Sequence, residues 1–416
     1  MVVTEDAQPL SRSVLAEDLE TLSRMGPRFM GSDAEKATVA HLVARLSRIA
    51  GLEVVTHEFS YLGWSLARMP ELRVLEPEPA SLDPIAYIYC APTSAAGVSG
   101  RLERLGEHWV IGDYKWDKYA IVNSGEIVAY VSGRRDGVAI PQPLAEGSRL
   151  APHFGIGREQ SERLCAWLND GRTVICEGVI DCELNPAATA QNVVARLRSD
   201  HSSDRIVVCC HLDSMYTCPG ANDNASGMAA TLALAEYFVR HPPPCAVDFI
   251  FFNGEEWDLA GSKAYVADAW ERGDLDAVRL VVNLDGVAYS KDLLQIWAGP
   301  EQLEDVLRDT VGSVYSSDGP KVTLISPPPM GADHVPFFNL GVPSCMLTGY
   351  EMVRYHTGLD VFEPELVDPV LRAADFARVA IERLARSSAQ FATRDLMSPR
   401  PGWRSIQRAA YTGTAR

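Results

Sequence analysis

The sequence predicts an α/β protein: a mainly parallel mixed sheet with helices on both faces, plus an inserted smaller β-rich domain. Three observations predict it. From residue 190 onward, short apolar runs alternate with helical stretches, the pattern of strands buried on both faces. Residues 62–188 carry short β-like runs between turn residues instead. The chain has 416 residues, more than one ordinary domain holds. Its 47% hydrophobic and 22% charged content excludes a wholly disordered chain, a collagen-like chain and a small disulfide scaffold.

The elements follow in order. A first helix runs from Ser13 through Leu19 and Leu22 to Met25 and stops at the breaker pair Gly26-Pro27. A second starts at Ser32 as N-cap with Glu35 three residues on, a capping-box pattern. Val39, Leu42, Val43 and Leu46 keep its apolar face, and Gly51 closes it. Glu53 to Tyr61 alternates like a strand, so residues 1–61 read as the N-terminal part of the principal domain.

Within 62–188, Leu72–Leu75, Ile85–Cys90 and Trp109–Gly112 read as short strands. Lys115–Ser124 reads as a small amphipathic segment and Ile127–Ser132 as a buried strand. A Pro- and Gly-rich loop, Arg134–Ile156, leads to helix Gln160–Leu168 and strand Thr173–Glu183. Residues 189–386 supply strands Ile206–Cys210, Val247–Phe252, Val278–Leu284 and Val342–Leu347, with helices Ala225–Val239 and Glu363–Leu384. The tail 387–416 shows no clear period and reads as loosely attached.

Charge narrows the partners. Lys plus Arg total 38 against 55 Asp plus Glu, a net charge of −17, so nucleic acid and anionic membrane are poor partners. No segment reaches the roughly 18 apolar residues of a membrane span. Met1 to Leu10 carries Glu5 and Asp6 and lacks a basic start and an apolar run, which predicts a cytoplasmic protein. There are nine cysteines and no CxxC pair, so Cys209, Cys210 and Cys345, set in apolar runs, read as buried reduced thiols.

Metal-type ligands occur at five places in the second half, each after an apolar strand or in a loop. In open α/β sheets the ligand site lies beyond the carboxyl ends of the strands, where these residues should converge. His211 and Asp213 follow Ile206–Cys210, and Asp213 is placed to fix the histidine's tautomer. Asp223 sits in Gly220–Gly227, where small residues allow close approach and one carboxylate can bridge two cations. Glu255 and Glu256 follow Val247–Phe252; adjacent carboxylates repel, so one suits a ligand and the other a general base. Asp285 ends another strand, and Tyr355-His356-Thr357 lies before the last helix. Imidazole and carboxylate without thiolate suit zinc, or less specifically cobalt or manganese. Five ligands with one bridging Asp serve two metals about 3.5–4 Å apart, whereas a single zinc needs only three.

These runs, with Phe251–Glu256, Gly261-Ser262, Asp333-His334 and the Gly31-Ser32…Ala34-Glu35 helix start, resemble the co-catalytic zinc exopeptidases. That family includes bacterial leucyl aminopeptidases, glutamate carboxypeptidase II and the transferrin receptor. The resemblance covers 190–386 with its motifs in order, and implies a phosphorylase/hydrolase-like zinc-exopeptidase fold. It implies two Zn2+ per chain, with Asp223 bridging, His211 and Asp285 completing one site, and Glu256 and His356 the other. It further implies Glu255 as general base, Asp213 orienting His211, and Tyr355 stabilising the oxyanion. The inserted region resembles the protease-associated domain through Lys115–Ser132 and the Ile156…Leu164…Gly171 stretch.

The implied activity is an aminopeptidase-like exopeptidase acting on a peptide or an amide-containing small molecule; a homodimer stays open. Alternatives are an amidohydrolase or carboxypeptidase for a specialised metabolite, a mono-zinc glutaminyl-cyclase-like acyltransferase, and an inactive binding module like the transferrin receptor. A binding module predicts missing ligands, and none is missing. The other histidines read as structural, and His334 is expected to pack near the site. Trp257, Met215, Tyr216, Met330, Tyr350 and Met352 divide evenly between pocket lining and core, and Arg354 is the best single partner for a substrate carboxylate.

Overall fold

The computed structural model describes residues 9–109, 115–144, 151–288, 293–315, 321–325, 331–349 and 353–386. The tail expected at 387–416, and Met330, Tyr350 and Met352, lie outside the described residues, as do 110–112 of the run Trp109–Gly112. The chain divides into two compact units, 1–60 with 189–416, and 61–188.

The first unit is built on an eight-stranded sheet. Its strands are β1 (Glu53–Leu66), β2 (Cys182–Leu197), β3 (Arg205–His211), β4 (Ala246–Phe252), β5 (Val278–Leu284), β6 (Leu293–Gly299), β7 (Lys321–Ile325) and β8 (Ser344–Thr348). They lie in the order β1-β2-β4-β3-β5-β8-β6-β7. The four central strands β4, β3, β5 and β8 are parallel, while β2 joins β4 and β6 joins β8 antiparallel. The fold class is therefore the expected mixed sheet with a parallel centre.

Alternation along β3 explains the two covered faces. Ile206, Val208 and Cys210 point to one side and Val207 and Cys209 to the other, and all five are buried. The first side packs on helices α1 (Arg12–Arg24), α3 (Gly227–Arg240) and α7 (Val367–Arg386), through Leu19, Leu232 and Phe376. The second packs on α4 (Ala260–Arg272) and α6 (Val335–Asn339), through Tyr265, Val266 and Phe337. Helix α2 (Asp33–Ser47) begins as its sequence predicts: the Ser32 hydroxyl accepts from Glu35 N, and Glu35 Oε2 accepts from Gly31 N.

Some elements escaped the sequence reading. The stretch after Asp285 holds β6, α5 (Glu301–Val314) and β7, none of which was expected. Trp297 of β6 and most of β7 are only partly buried, although Ile296 and Ala298 on either side of Trp297 are fully buried. The expected strand Thr173–Glu183 is two: Ile175–Val179 belongs to the second unit's sheet, while β2 starts only at Cys182 and runs on to pair with β4 through Val193–Leu197.

The second unit contains another eight-stranded sheet and a helix, Arg158–Asn169. Lys115–Asn123 is a full central strand rather than a small amphipathic segment. It pairs antiparallel with both Val98–Trp109 and Glu126–Gly133, and its buried Trp116, Tyr119 and Ile121 fill the interior. Only Ile85–Ala86 of the expected Ile85–Cys90 run is extended strand.

Candidate metal centre

The site residues stand where the parallel strands stop. β3 ends on His211, and the next amide, Leu212 N, still donates to Phe252 O of β4 at 2.7 Å. β4 ends at Phe252, and Gly254, at φ 78°, turns the chain so that Glu255 and Glu256 face back to His211. β5 ends at Leu284, and Asp285 N donates to Leu347 O of β8 at 3.1 Å. His356 arrives from the loop before α7 with φ 58°, a left-handed conformation that a non-glycine residue holds only under constraint. Asp223 comes from the irregular turn Ala221–Ser226 leading into α3.

Two clusters result, and they share one residue. His211, Asp223 and Asp285 form one; Asp223, Glu256 and His356 form the other, with potential ligand atoms within 4.8 Å of one another in each. All five side chains are buried. His211 Nε2 lies 3.0 Å from Asp223 Oδ1 and 3.2 Å from Asp285 Oδ1. His356 Nε2 lies 2.9 Å from Glu256 Oε2 and 3.3 Å from Asp223 Oδ2. Yet both oxygens of Asp223, Oε1 of Glu256 and both ring nitrogens of His356 make no aligned hydrogen bond. Buried polar atoms left this way are costly unless another group satisfies them. Imidazole nitrogens and carboxylate oxygens that converge with most of these atoms left unpaired fit divalent cations of the zinc type.

Electrostatics point the same way. Burial drives the Glu256 carboxyl up to about 7, with Asp223 adding to the push and His356 opposing it. Burial likewise raises Glu255 well above the ordinary range, reinforced by Asp285 and Glu256. Burial opposes the charge on His356 as well, but Glu256 and Asp223 overcome it and hold the ring up at about 9. Asp223 is held below its usual range by both histidines, against its own burial. The centre thus crowds negative charge that histidines alone balance incompletely.

Several groups fix the ligands. Asp213, fully buried, accepts from Glu255 N at 3.1 Å and Glu256 N at 3.3 Å. His211 Nδ1 lies 3.1 Å from Asp213 O and 3.5 Å from its carboxylate. Asp213 therefore aligns the Glu pair as well as the histidine. Asn224 donates to Leu284 O and accepts from Gly286 N, while Asn222 Oδ1 accepts from Ala288 N, tying the Asp223 turn to the end of β5. Behind the Glu pair, Asn253 donates to Glu35 Oε1 at 2.6 Å and its amide donates to Asn192 Oδ1 at 2.9 Å.

The structure brings all eight predicted site residues into this region. Tyr355 is partly exposed and stacks on His356 at 3.6 Å between ring centres. Trp257 and Met215 are each 1% exposed, so they belong to the core beneath the site, with Trp257 against Phe29. Tyr216, partly exposed, meets the edge of Phe29 and remains at the rim. Arg354 pairs with Glu363 at 3.0 Å, which engages the cation offered for a substrate carboxylate. His334 is buried and stands in neither cluster, as expected. Sequence reasoning missed Asp360, Arg28 and Asn222. A charged residue inside a Gly- and Pro-rich stretch, as at Arg28, was the available signal.

A parallel-centred α/β sheet with His-carboxylate clusters at its carboxyl ends defines a metal-dependent hydrolase. Residues 192–377 match the profile described as Peptidase family M28. The chain is 25% identical over 394 residues to aminopeptidase YwaD of Bacillus subtilis, covering 86% of this chain and 81% of that one. It is 29% identical over 173 residues to leucine aminopeptidase 2 of Arthroderma otae, covering 42% of this chain; it spans about a third (32%) of that relative's length. Among solved structures, an M28 peptidase precursor from Shewanella amazonensis superposes with a TM-score of 0.74 at 20% identity, over 92% of this chain and 95% of that one. The zinc aminopeptidase BSAP of Bacillus subtilis gives 0.71 at 20% identity, over 91% and 97%. These structural likenesses show the shared fold.

Proposed function

We propose that this chain is a metal-dependent aminopeptidase that hydrolyses the first amide bond of a peptide at a centre for two divalent cations, zinc by preference. The observation that carries the reading is the pair of buried clusters sharing Asp223. His211, Asp223 and Asp285 would hold one cation; Asp223, Glu256 and His356 the other. When bound, zinc supplies Lewis-acid polarisation of the amide carbonyl and eases deprotonation of the attacking water. Glu255 takes that proton and delivers it to the leaving amine; its raised proton affinity suits a group that must hold the proton between the two events. Asp213 keeps the Glu pair in place through their amides. Tyr355 donates its hydroxyl to the carbonyl oxygen as charge develops there.

Recognition of a free amine, rather than a carboxylate, is supported by the acidic character of the site and by the engagement of Arg354 with Glu363. The names of the YwaD and leucine aminopeptidase relatives support the same choice. A glutaminyl cyclase of Porphyromonas gingivalis shares the fold more distantly, with a TM-score of 0.51 at 14% identity. A second complete cluster weighs against a mono-zinc transferase of that kind. We read 61–188 as a protease-associated-like domain, supported by its β-rich sheet with one flanking helix.

The deciding experiment pairs metal analysis of gently purified protein with a panel of aminoacyl and N-blocked peptides, before and after chelation. The expected result is about two zinc ions per chain and chelator-sensitive release of N-terminal residues. Two zinc ions without peptide turnover would redirect the reading to a metabolite amidohydrolase. One zinc or none would overturn the dinuclear centre.

A further inference from the structure

The turn that carries Asp223 is gripped by two opposite full charges, each acting on the main chain. Arg28 is fully buried, and among the described residues its guanidinium donates to main-chain carbonyls. Nη1 donates to Pro219 O at 2.8 Å and Nη2 to Gly220 O at 2.9 Å. Nε donates to Leu212 O at 2.8 Å, between His211 and Asp213. A few residues along the turn stands Asp360, also fully buried, whose carboxylate accepts from Asn222 N at 2.7 Å and Asp223 N at 3.0 Å. Its own carbonyl accepts from Ala221 N at 3.2 Å.

The cation therefore binds two successive carbonyls, and the anion binds two successive amides just beyond them. Each pair of peptide dipoles is oriented by a charge of the right sign, and charge-assisted bonds of this kind are stronger and more directional than neutral ones. The turn itself lacks regular structure that could do this work: Gly220 has φ 73° and Asp223 has φ −114°, ψ 85°. Packing is close enough that a Cβ on Gly220 would come within 2.6 Å of Arg28 Nη2. A buried guanidinium that, among the described residues, bonds carbonyls rather than a carboxylate is expensive for mere stability.

We infer that Arg28 and Asp360 are positioning residues, a charge clamp acting through the main chain of 219–223 that fixes where the Asp223 carboxylate is presented and so sets the spacing of the two cation sites. This rests on the reading of Asp223 as the shared ligand. Because the guanidinium also holds Leu212 O, the same clamp keeps the His211 segment and the Asp223 turn in register.

The test uses the full chain with Arg28→Met, Arg28→Lys and Asp360→Asn. Stepwise zinc affinity is read against a competing chelator, amide exchange over 219–224 is read by mass spectrometry on zinc-free protein, and the melting temperature is recorded for each. Arg28→Met and Asp360→Asn are expected to weaken the second zinc at least tenfold more than the first, and to speed exchange at Asn222 and Asp223 at least tenfold. Arg28→Lys should recover the melting temperature without recovering the second affinity, because one ammonium cannot span the carbonyls that a guanidinium spans. Folded variants with wild-type stepwise affinities and wild-type exchange would overturn the clamp, as would a uniform loss that follows the melting temperature alone. If Arg28→Met does not fold, Asp360→Asn, which keeps the side chain's shape but removes the charge and one of the two oxygens that accept from Asn222 N and Asp223 N, decides the matter. If the wild type itself binds fewer than two zinc ions, the dinuclear reading falls; exchange at Asn222 and Asp223 in zinc-free Asp360→Asn still decides the clamp, fast exchange supporting it and wild-type exchange overturning it.

Discussion

Buried acid is treated in opposite ways at Asp117 of the insert and at the candidate metal centre of the first unit. In the insert, Asp117 is buried and accepts from Arg104 at 2.7 Å and from Arg135 at 2.7 and 2.9 Å. Burial opposes its charge, but the two guanidinium groups win and hold its carboxyl below the usual range. In the first unit, the ion contacts of Asp223 and Glu256 among the described residues are with histidines, and Glu256 is pushed up to about 7. A carboxylate matched by arginine is architecture. A carboxylate crowded by others, at the ends of parallel strands, is a place that needs positive charge from outside the chain.

Substitutions can break that contrast. The largest effect is expected at Glu255: Glu255→Gln should lower kcat by about 10²–10⁴ while zinc content stays unchanged, since only proton transfer is lost. Steady-state kinetics with metal analysis checks it, and unchanged hydrolysis would remove Glu255 from the role of base. Next comes Asp117→Ala in the insert, which strands two arginines over a buried site. It should cost up to about 3 kcal/mol by denaturant titration, toward the lower end of broken buried pairs because the arginines are partly exposed, with zinc stoichiometry unchanged. Tyr355→Phe should lower kcat by about 10²-fold, the typical cost of one lost oxyanion donor, with KM nearly constant.

The smallest expected effect sharpens the comparison through pH. Burial, with Lys118 and His108 adding to it, presses His153 of the insert down to about 3, so the folded protein keeps this ring neutral. The unfolded chain takes up the proton first as pH falls below about 6.5, so stability is lost between about 6.5 and 3. The loss is at most about 1.4 kcal/mol per pH unit for one proton. Melting curves of the full chain from pH 7 to 5 should show a decline that His153→Gln flattens; parallel declines would assign the effect to other groups.

How much of this was legible beforehand follows from physical scale. His211 and Asp285 could be placed because each stands directly at the end of an apolar strand, and Glu256 because it follows another after the Gly254 turn; strands announce themselves by local pattern. Asp223 was legible from the small residues around it. Asp360 was not, because its role comes from amides 137 and 138 positions away. Arg28 was hidden for the same reason: its carbonyl partners at Pro219 and Gly220 lie 191 and 192 positions off. The strand β7 was missed because it is the sheet's edge strand and at most half-buried, which blurs its pattern; β6 and α5, whose Ile296, Ala298, Leu303 and Leu307 are buried, went unread in the same stretch. Trp257 and Met215 could not be assigned from sequence, since a large apolar residue beside a motif looks alike above the site or below it.

One feature of the first sheet bears on ancestry. Strands β1 and β2 are neighbours in it, yet the second unit, 61–188, begins within the last residues of β1 and ends within the first residues of β2. Topologically, the insert occupies the position of a connecting loop. The entropic cost of closing a loop grows only with the logarithm of its length, by about 0.6 kcal/mol for each doubling. A module that folds on its own core, entering and leaving through adjacent strands, can therefore be gained, enlarged or deleted during descent with little penalty to the sheet that carries the ligands. Lineages sharing this metal centre are free to differ most at the β1–β2 junction, and that junction is the natural point for grafting a foreign recognition module.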